Sequence, residues 1–298
     1  MPNDTNVNIG NSGEYFVAGE LERRGFTVAV PMSNVKDFDI LAIHRQTHEQ
    51  FAIQVKTTSY KQKKWTLSKK NETLKGNNII YIFVSLNELE APEYHIVPSK
   101  IVADTITESH ALWLNTPGKK GQKRNDTNIR VFRDDEDIYY DKWSLLDIKP
   151  LDDRLLPKDI FAPLTKFIEL LQGIKYAERY PKEQTGDGSL EHPYQIPYYI
   201  YDDVVCQFEN AIYQFQEDYP EFQLYQYRDI LLWSGIKWDE EAMTKEDVSK
   251  RSSKEVMALL VGAVRAEHFC SGALLGFLLS GCIEKWLLRL LEIERKER

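Results

Sequence analysis

One acid, one amide and one lysine lie on two apolar segments that the sequence predicts as a β-hairpin. Asp39 lies near the start of residues 38–43, and Gln54 and Lys56 lie two residues apart within residues 51–57. The polar connection between the segments is short enough for a turn that sets Asp39 opposite the Gln-x-Lys pair. The hairpin is therefore expected to gather a carboxylate, an amide and an ammonium at one place.

Alternation along the second strand predicts which side chains reach that place. Ile53 and Val55 share the face that is expected to pack in the core. Gln54 and Lys56 share the opposite face. The first strand is apolar on both faces beyond Asp39, which is typical of a central strand, and a carboxylate there is costly without a partner.

A second acid lies on a predicted helix over residues 14–24, for which residues 11–13 supply an N-cap. Glu14, Ala18 and Leu21 are spaced to share the core-facing stripe of this helix. A carboxylate at the head of a buried stripe needs a cation or a donor nearby. Two acids and a lysine at a sheet edge can hold Mg²⁺ through carboxylate oxygens and water, and the ion lowers the pKa of a bound water.

Each of these residues also has a purely structural interpretation. Glu14 near a helix N-terminus could merely favour the macrodipole. Asp39 could cap the start of its strand, and Lys56 could pair with Asp39 without taking part in any chemistry. The occurrence of all three in one predicted pocket favours the chemical interpretation.

The order helix–Glu, strand–Asp, strand–Gln-x-Lys resembles the PD-(D/E)XK nuclease superfamily, and in particular its Mrr-like and Holliday-junction-resolvase-like members. The resemblance rests on residues 13–18, 23–26, 37–42 and 53–57, and extends more loosely to Trp143. It implies an α/β fold with a mixed central sheet flanked by helices. It also implies Mg²⁺-dependent endonuclease hydrolysis of DNA phosphodiesters, with Mn²⁺ able to substitute, and a role in prokaryotic restriction or defence.

The resemblance also assigns roles to the residues of the site. It makes Asp39 the principal metal ligand, Glu14 a second acid, and Lys56 the residue that positions water or stabilises charge. Gln54 stands where the superfamily more often has Glu or Asp, and its amide oxygen can ligate Mg²⁺ without adding charge. This departure leaves an alternative open, in which the fold has weak or no activity and serves as a nucleic-acid-binding or protein-interaction module.

The formal net charge of −8 is concentrated in the second half of the chain. Residues 1–148 carry 19 Lys and Arg against 20 Asp and Glu, whereas residues 149–298 carry 19 against 26. Two basic stretches in the first half are expected to contact DNA phosphates without sequence preference, although a solvated lysine-rich loop is the alternative. The predicted DNA-binding residues are Tyr60, Lys61, Lys63, Lys64, Lys69, Lys70, Lys119, Lys120, Lys123 and Arg124.

The sequence predicts two domains, a nuclease-like α/β domain over residues 1–148 and an all-α accessory domain over residues 149–298. An uncharacterised bacterial family of helical domains is resembled by residues 265–269, 271–274, Gly281 and residues 286–290. The acidic half is expected to form a homodimer, bind a protein partner or serve in sensing. The Pro- and Gly-rich segment 181–197 is a loop and a candidate linker. Helical spacing is expected over residues 160–180, 202–218, 225–234, 252–265, 271–280 and 282–294.

The remaining elements predicted in the first half complete its α/β pattern. They are strands over residues 26–30, 78–86 and 94–97, a helix over residues 99–109, and a last hairpin of residues 129–132 with 138–140.

Cysteine usage and hydropathy predict a cytoplasmic protein without membrane association. The three cysteines are widely spaced and give neither a disulfide framework nor a zinc pattern. No apolar run approaches the roughly 20 residues that span a bilayer. The polar first ten residues carry no signal sequence.

Overall fold

The computed structural model describes residues 2–31, 38–183, 185–195 and 197–296, with side chains from residue 7 onward. Asp37 of the resemblance motif, and Gln184 and Ile196 of the candidate linker, lie outside the described residues. Residue contacts divide the chain into two compact units, unit 1 with residues 1–147 and unit 2 with residues 148–298. No helix in the described part of the chain is long and apolar enough to cross a membrane.

Unit 1 contains a mixed five-stranded sheet among its described residues, flanked by helices, as the sequence predicts. Its elements are α1 Pro2–Arg23, β1 Phe26–Ala29, β2 Ile40–His44, β3 Gln50–Thr58, β4 Lys64–Ser68, β5 Ile79–Ser85, β6 Glu93–Pro98, α2 Ser99–Asn115 and β7 Ile129–Arg133. The strand order is β1-β2-β3-β5-β6. This order places β3 at the centre of the sheet. The pair β3–β5 is parallel and the other neighbours are antiparallel.

The β2–β3 hairpin is confirmed, with Ile40 opposite Ile53. Ile53 and Val55 are buried as the alternation predicts. The first strand begins later than expected, because regular pairing starts at Ile40 and leaves Asp39 immediately before β2. Asp39 therefore lies where the chain enters the sheet.

Helix α1 begins much earlier than predicted, so residues 11–13 are inside the helix and do not cap it. Its buried stripe consists of Gly13, Val17 and Leu21, whereas Glu14 and Ala18 lie half-buried at the edge of that stripe. Helix α1 contacts β3 at Gly13, where a Cβ would overlap the side chain of Thr57. Because Gly13 has no side chain, the helix packs directly on the strand there, and Glu14 lies at the edge of this contact.

The lysine-rich stretch of unit 1 is not a loop, because it contains strand β4. Trp65 and Leu67 are buried and alternate with exposed residues, and β4 pairs with β7 in a separate two-stranded sheet. The predicted hairpin of residues 129–132 with 138–140 is wrong, since β7 pairs with β4 and Tyr140 forms an isolated bridge with His95. The period-two pattern of β4 is hidden by the charges around it.

Unit 2 is mainly helical. Its elements are α3 Ala162–Thr165, α4 Phe167–Leu170, β8 Ala177–Tyr180, β9 Tyr198–Tyr201, α5 Asp203–Asp218, α6 Tyr227–Trp233, α7 Glu240–Lys245, α8 Ser253–Ala266, α9 Ala273–Leu279 and α10 Cys282–Lys296. Most predicted helices are confirmed, including the capping box of Ser252 with Glu255 at the start of α8. Helix α7 was not predicted.

Two expectations for unit 2 are wrong. The unit is not all-α, because β8 and β9 form an antiparallel hairpin. The long helix over residues 160–180 is instead the two short helices α3 and α4, and Gly173 at φ +72° follows the helical stretch before β8 begins. The candidate linker 181–197 connects β8 to β9, so both of its ends lie in unit 2.

Candidate functional site

Backbone pairing at the entrance of β2 fixes the position of Asp39. Its N–H donates to the Ile53 carbonyl at 2.8 Å, which anchors Asp39 to β3 just before the regular pairing that begins with Ile40 opposite Ile53. Asp39 Oδ2 accepts hydrogen bonds from the Val55 backbone N–H at 2.8 Å and from Gln54 Nε2. The carboxylate is thus held against the middle of the central strand by two donors of β3.

Lys56 lies beside this carboxylate. Its Nζ is 3.9 Å from Asp39 Oδ2 and donates to the Val55 carbonyl at 2.9 Å. Burial lowers the pKa of the Lys56 ammonium and Lys70 lowers it further, whereas Asp39 acts in the opposite direction. The Lys56 side chain therefore lies beside a carboxylate in a partly desolvated place.

Glu14 faces the same place from helix α1. Burial raises the pKa of its carboxyl, the negative charge of Asp39 raises it further, and Lys56 lowers it. The carboxyl of Glu14 therefore lies within electrostatic range of Asp39 and Lys56. The close packing of Gly13 on Thr57 brings the helix to this part of β3.

The sequence predicts that the amide oxygen of Gln54 can ligate a metal ion, but in the structure the amide nitrogen faces Asp39. Its side chain is buried, at 6% exposure, and its amide N–H₂ group donates to Asp39. In this orientation Gln54 fixes the carboxylate of Asp39. Carboxylate oxygens, the donors that Mg²⁺ prefers, come from Asp39 and Glu14.

Three of the predicted DNA-binding lysines, all in the first basic stretch of residues 56–75, pair with acids from other segments. Glu72 is the one acid within this stretch, and such long-range pairs could not be read from the sequence. Exposed pairs of this kind contribute about 0–1 kcal/mol, but they neutralise charge locally. The pairs are Lys61 with Glu93 at 3.1 Å, Lys63 with Asp137 at 2.5 Å and Lys69 with Asp126 at 2.8 Å.

The other predicted DNA-binding residues are placed differently. Lys64 lies on the exposed face of β4, and Lys70 lies in a 3₁₀ turn close enough to Lys56 to lower its pKa. Tyr60 is exposed, and Arg124 places its guanidinium 4.7 Å from the centre of the Trp113 ring. The remaining residues of the set, Lys119, Lys120 and Lys123, are exposed.

Sequence reasoning missed a buried polar cluster beneath β4. His95 Nδ1 and Asp134 Oδ2 lie 2.6 Å apart with both side chains buried. Asp134 also accepts from the backbone N–H groups of Ile138 and Tyr139, each at 2.9 Å. These bonds fix the turn after β7, and no local sequence signal links His95 to an acid 39 residues away.

Comparisons with known proteins give one similar solved structure and one matching family model. A search of curated proteins gives no significant match. Among solved structures, the chain is similar to the bacterial homing endonuclease I-Ssp6803I, with 13% identity and a TM-score of 0.27 over 46% of this chain and 88% of that chain. Residues 161–296 match the model of a family of unknown function, DUF6508, so the family match lies within the mainly helical unit 2.

Proposed function

We propose that unit 1 is a Mg²⁺-dependent DNA endonuclease. The observation that carries the proposal is the meeting of Asp39, Lys56 and Glu14 beside the central strand. Lys56 Nζ lies 3.9 Å from Asp39, and Glu14 approaches from helix α1, which packs on β3 where Gly13 meets Thr57. Two acids and a lysine held on rigid elements are the groups that metal-assisted phosphodiester hydrolysis requires.

The donor set fits Mg²⁺. Asp39 and Glu14 would hold the ion, and Mn²⁺, which also takes oxygen ligands, would substitute. When bound, the ion would neutralise phosphate charge and lower the pKa of a water. Gln54 and the Val55 N–H hold the Asp39 carboxylate in one orientation, which reduces the reorganisation that binding requires.

Lys56 would act on the phosphate or on the attacking water. Its ammonium is half-buried beside Asp39, so its interactions are screened less than those of a surface lysine. At this position it can donate to a phosphate oxygen on which negative charge develops. Lys70 adds a second positive charge near the same place.

A non-catalytic nucleic-acid-binding module is the second candidate. The orientation of Gln54 favours it, because the amide already occupies Asp39 Oδ2. The response of the site to added negative charge separates the two candidates.

Replacing Gln54 with Glu is expected to tighten Mg²⁺ binding by tenfold or more. The variant removes a donor to Asp39 and adds a carboxylate, and unit charges about 4 Å apart interact by roughly 4 kcal/mol at an effective dielectric of 20. Calorimetric titration of Mg²⁺ into parent and variant, with DNA present, measures the change. Gln50→Glu is the matched control, since it adds the same charge at the exposed start of β3.

The second candidate predicts a different result. A site without an ion has nothing to offset the new carboxylate, so Gln54→Glu would lower stability and raise the pKa of that acid. Absence of Mg²⁺ binding by the parent, with none gained by the variant, would overturn the nuclease proposal.

Replacing Lys64 and Lys70 with Ala is expected to weaken DNA binding for all sequences. Neither lysine belongs to the ion pairs above, so both are available to phosphates. Loss of two phosphate contacts should reduce the slope of log affinity against log salt by about 2. Fluorescence anisotropy with labelled duplex DNA in EDTA, at several salt concentrations, measures this slope.

The double variant Lys61→Ala, Lys63→Ala is the matched control for that experiment. These lysines pair with Glu93 and Asp137, so their removal should change the slope by less than half as much. Equal slopes for the parent and the Lys64, Lys70 variant would show that these lysines do not contact DNA.

For unit 2 we propose a role in protein contacts, through a homodimer or a protein partner in the cytoplasm. Residues 149–298 carry 26 acidic against 19 basic residues, which disfavours the approach of DNA. The oligomeric state of the full chain, measured by light scattering, tests the dimer directly.

A further inference from the structure

A groove of about 510 Å³ lies on unit 1 between helix α2 and the outer face of the β4–β7 sheet. Its lining alternates along the strands, because Ile129, Val131 and Arg133 share one face of β7. Lys64, opposite Arg133 in the strand register, contributes the end of the groove on β4. The volume is in the range of sites that bind small organic groups.

The apolar part of the groove is aromatic at the α2 side. Trp113 is exposed at 41% and stacks on His110, with ring centres 5.4 Å apart and planes inclined by 23°. Arg124, from the connection between α2 and β7, places its guanidinium 4.7 Å from the centre of the Trp113 ring. Because the planar guanidinium of Arg124 lies over the Trp113 ring, another planar group can stack on the same face of that ring.

The floor of the groove carries a built ionic network. Arg130 is buried, at 3% exposure, and its guanidinium binds Glu72 and, at 3.3 Å, Asp126. Asp126 is also bound by Lys69 at 2.8 Å and by His110 at 2.9 Å. Arg130, Lys69 and His110 therefore surround Asp126. These groups offset its negative charge, so an anion can still bind in the groove.

We propose that this groove binds an unpaired nucleotide of a single DNA strand, an inference that rests on the proposed function of unit 1. The base would stack on Trp113 in place of the Arg124 guanidinium and pack against Ile129 and Val131. Its phosphates would bind Lys64 and Arg133 at the open end. The combination of an aromatic platform with cations at one end matches a nucleotide in both size and charge.

The occupant is a strand rather than a free nucleotide because cations continue beyond the groove. Lys70 follows β4, and Lys123 and Arg124 precede β7, so phosphates on both sides of the stacked base meet positive charge. The substrate of the nuclease site would accordingly contain a single-stranded region.

The test is anisotropy of a labelled 12-nucleotide single strand and of the corresponding duplex, with the full chain in EDTA. Trp113→Ala is expected to weaken single-strand binding about tenfold and duplex binding less than twofold, because stacking requires an unpaired base. Trp113→Phe should restore most of the affinity. Leu112→Ala, at a residue 71% exposed on the same helix, is the matched control and should change neither.

The outcomes separate this inference from the proposed function. Equal losses for single strand and duplex, or no loss, would overturn the groove proposal, and the Asp39-dependent cleavage assay would be unaffected. Competition by a deoxynucleoside monophosphate as effective, per mole, as by the strand would also contradict it, since the groove would then be a small-molecule site. Conversely, selective loss of single-strand binding supports the groove even in a protein that does not cleave.

Discussion

Replacing Asp39 with Asn is expected to reduce metal-dependent cleavage of plasmid DNA by about a thousandfold or more, in a protein that remains folded. The variant removes the negative charge nearest Lys56 but keeps an oxygen that can accept from the Val55 N–H. Asp39→Ala should lose the same activity and also some stability, because it leaves the buried Gln54 amide without its acceptor. Gel analysis of supercoiled, nicked and linear plasmid measures the rate.

Lys56→Met should have an effect of similar size, since it keeps the aliphatic length and removes the charge that would stabilise the phosphate. Lys75→Met is its matched control, because Lys75 pairs with Asp104 on helix α2 and takes no part in the site. Circular dichroism and thermal unfolding check that each variant is folded. Cleavage at the parental rate by Asp39→Asn or Lys56→Met would show that the assigned site is wrong.

Gly13→Ala is expected to destabilise unit 1 by about 1–3 kcal/mol, as overpacked sites do. The new Cβ would overlap the side chain of Thr57, which is β-branched and cannot easily rotate away. Helix α1 would have to move off β3, and Glu14 would move with it. Chemical denaturation measures the loss, and the cleavage assay should show reduced activity in the folded variant.

Gly19→Ala, on the same helix, is expected to raise stability rather than lower it. Its Cβ would enter open space, so the substitution should stabilise the helix by about 0.5–1 kcal/mol. Adding Thr57→Ala to Gly13→Ala should recover part of the lost stability. Equal stability of Gly13→Ala and Gly19→Ala would contradict the direct packing of α1 on β3.

The hairpin that carries the site could be predicted because alternation is a local signal. Ile53 and Val55 on one face, with Gln54 and Lys56 on the other, define the strand and both of its faces within a few residues. The orientation of Gln54 could not be predicted, because an amide offers either a donor or an acceptor and its partner decides which. The donor role follows from the proximity of Asp39, which only the folded hairpin provides.

The lysine-rich stretch shows why charge patterns are poor guides to long-range pairing. Glu93, Asp126 and Asp137 neutralise lysines that lie more than 30 residues away in the sequence. Strand β4 was missed for a related reason, since its two buried residues, Trp65 and Leu67, are separated and flanked by polar ones. Strand β4 is stabilised by pairing with β7, which begins 65 residues later in the chain, at Ile129.

In unit 2, helix prediction succeeded where a cap and a long amphipathic stretch coincide. Helix α8 has both, with Ser252 and Glu255 forming the capping box ahead of a buried apolar run. Residues 160–180 have the apolar spacing without continuous helix, because the helical stretch is divided into α3 and α4 and ends before Gly173. Hydrophobic periodicity alone does not reveal where a chain turns.

Plasmid cleavage by the purified full chain tests the central claim most directly. With Mg²⁺ or Mn²⁺, the parent should convert supercoiled DNA to nicked and linear forms, and EDTA should stop the reaction. Asp39→Asn, prepared in the same way, should leave the plasmid intact and thereby exclude a contaminating nuclease. Cleavage that is equal in the parent and in Asp39→Asn, or an intact plasmid with the parent and metal together, would contradict the assignment.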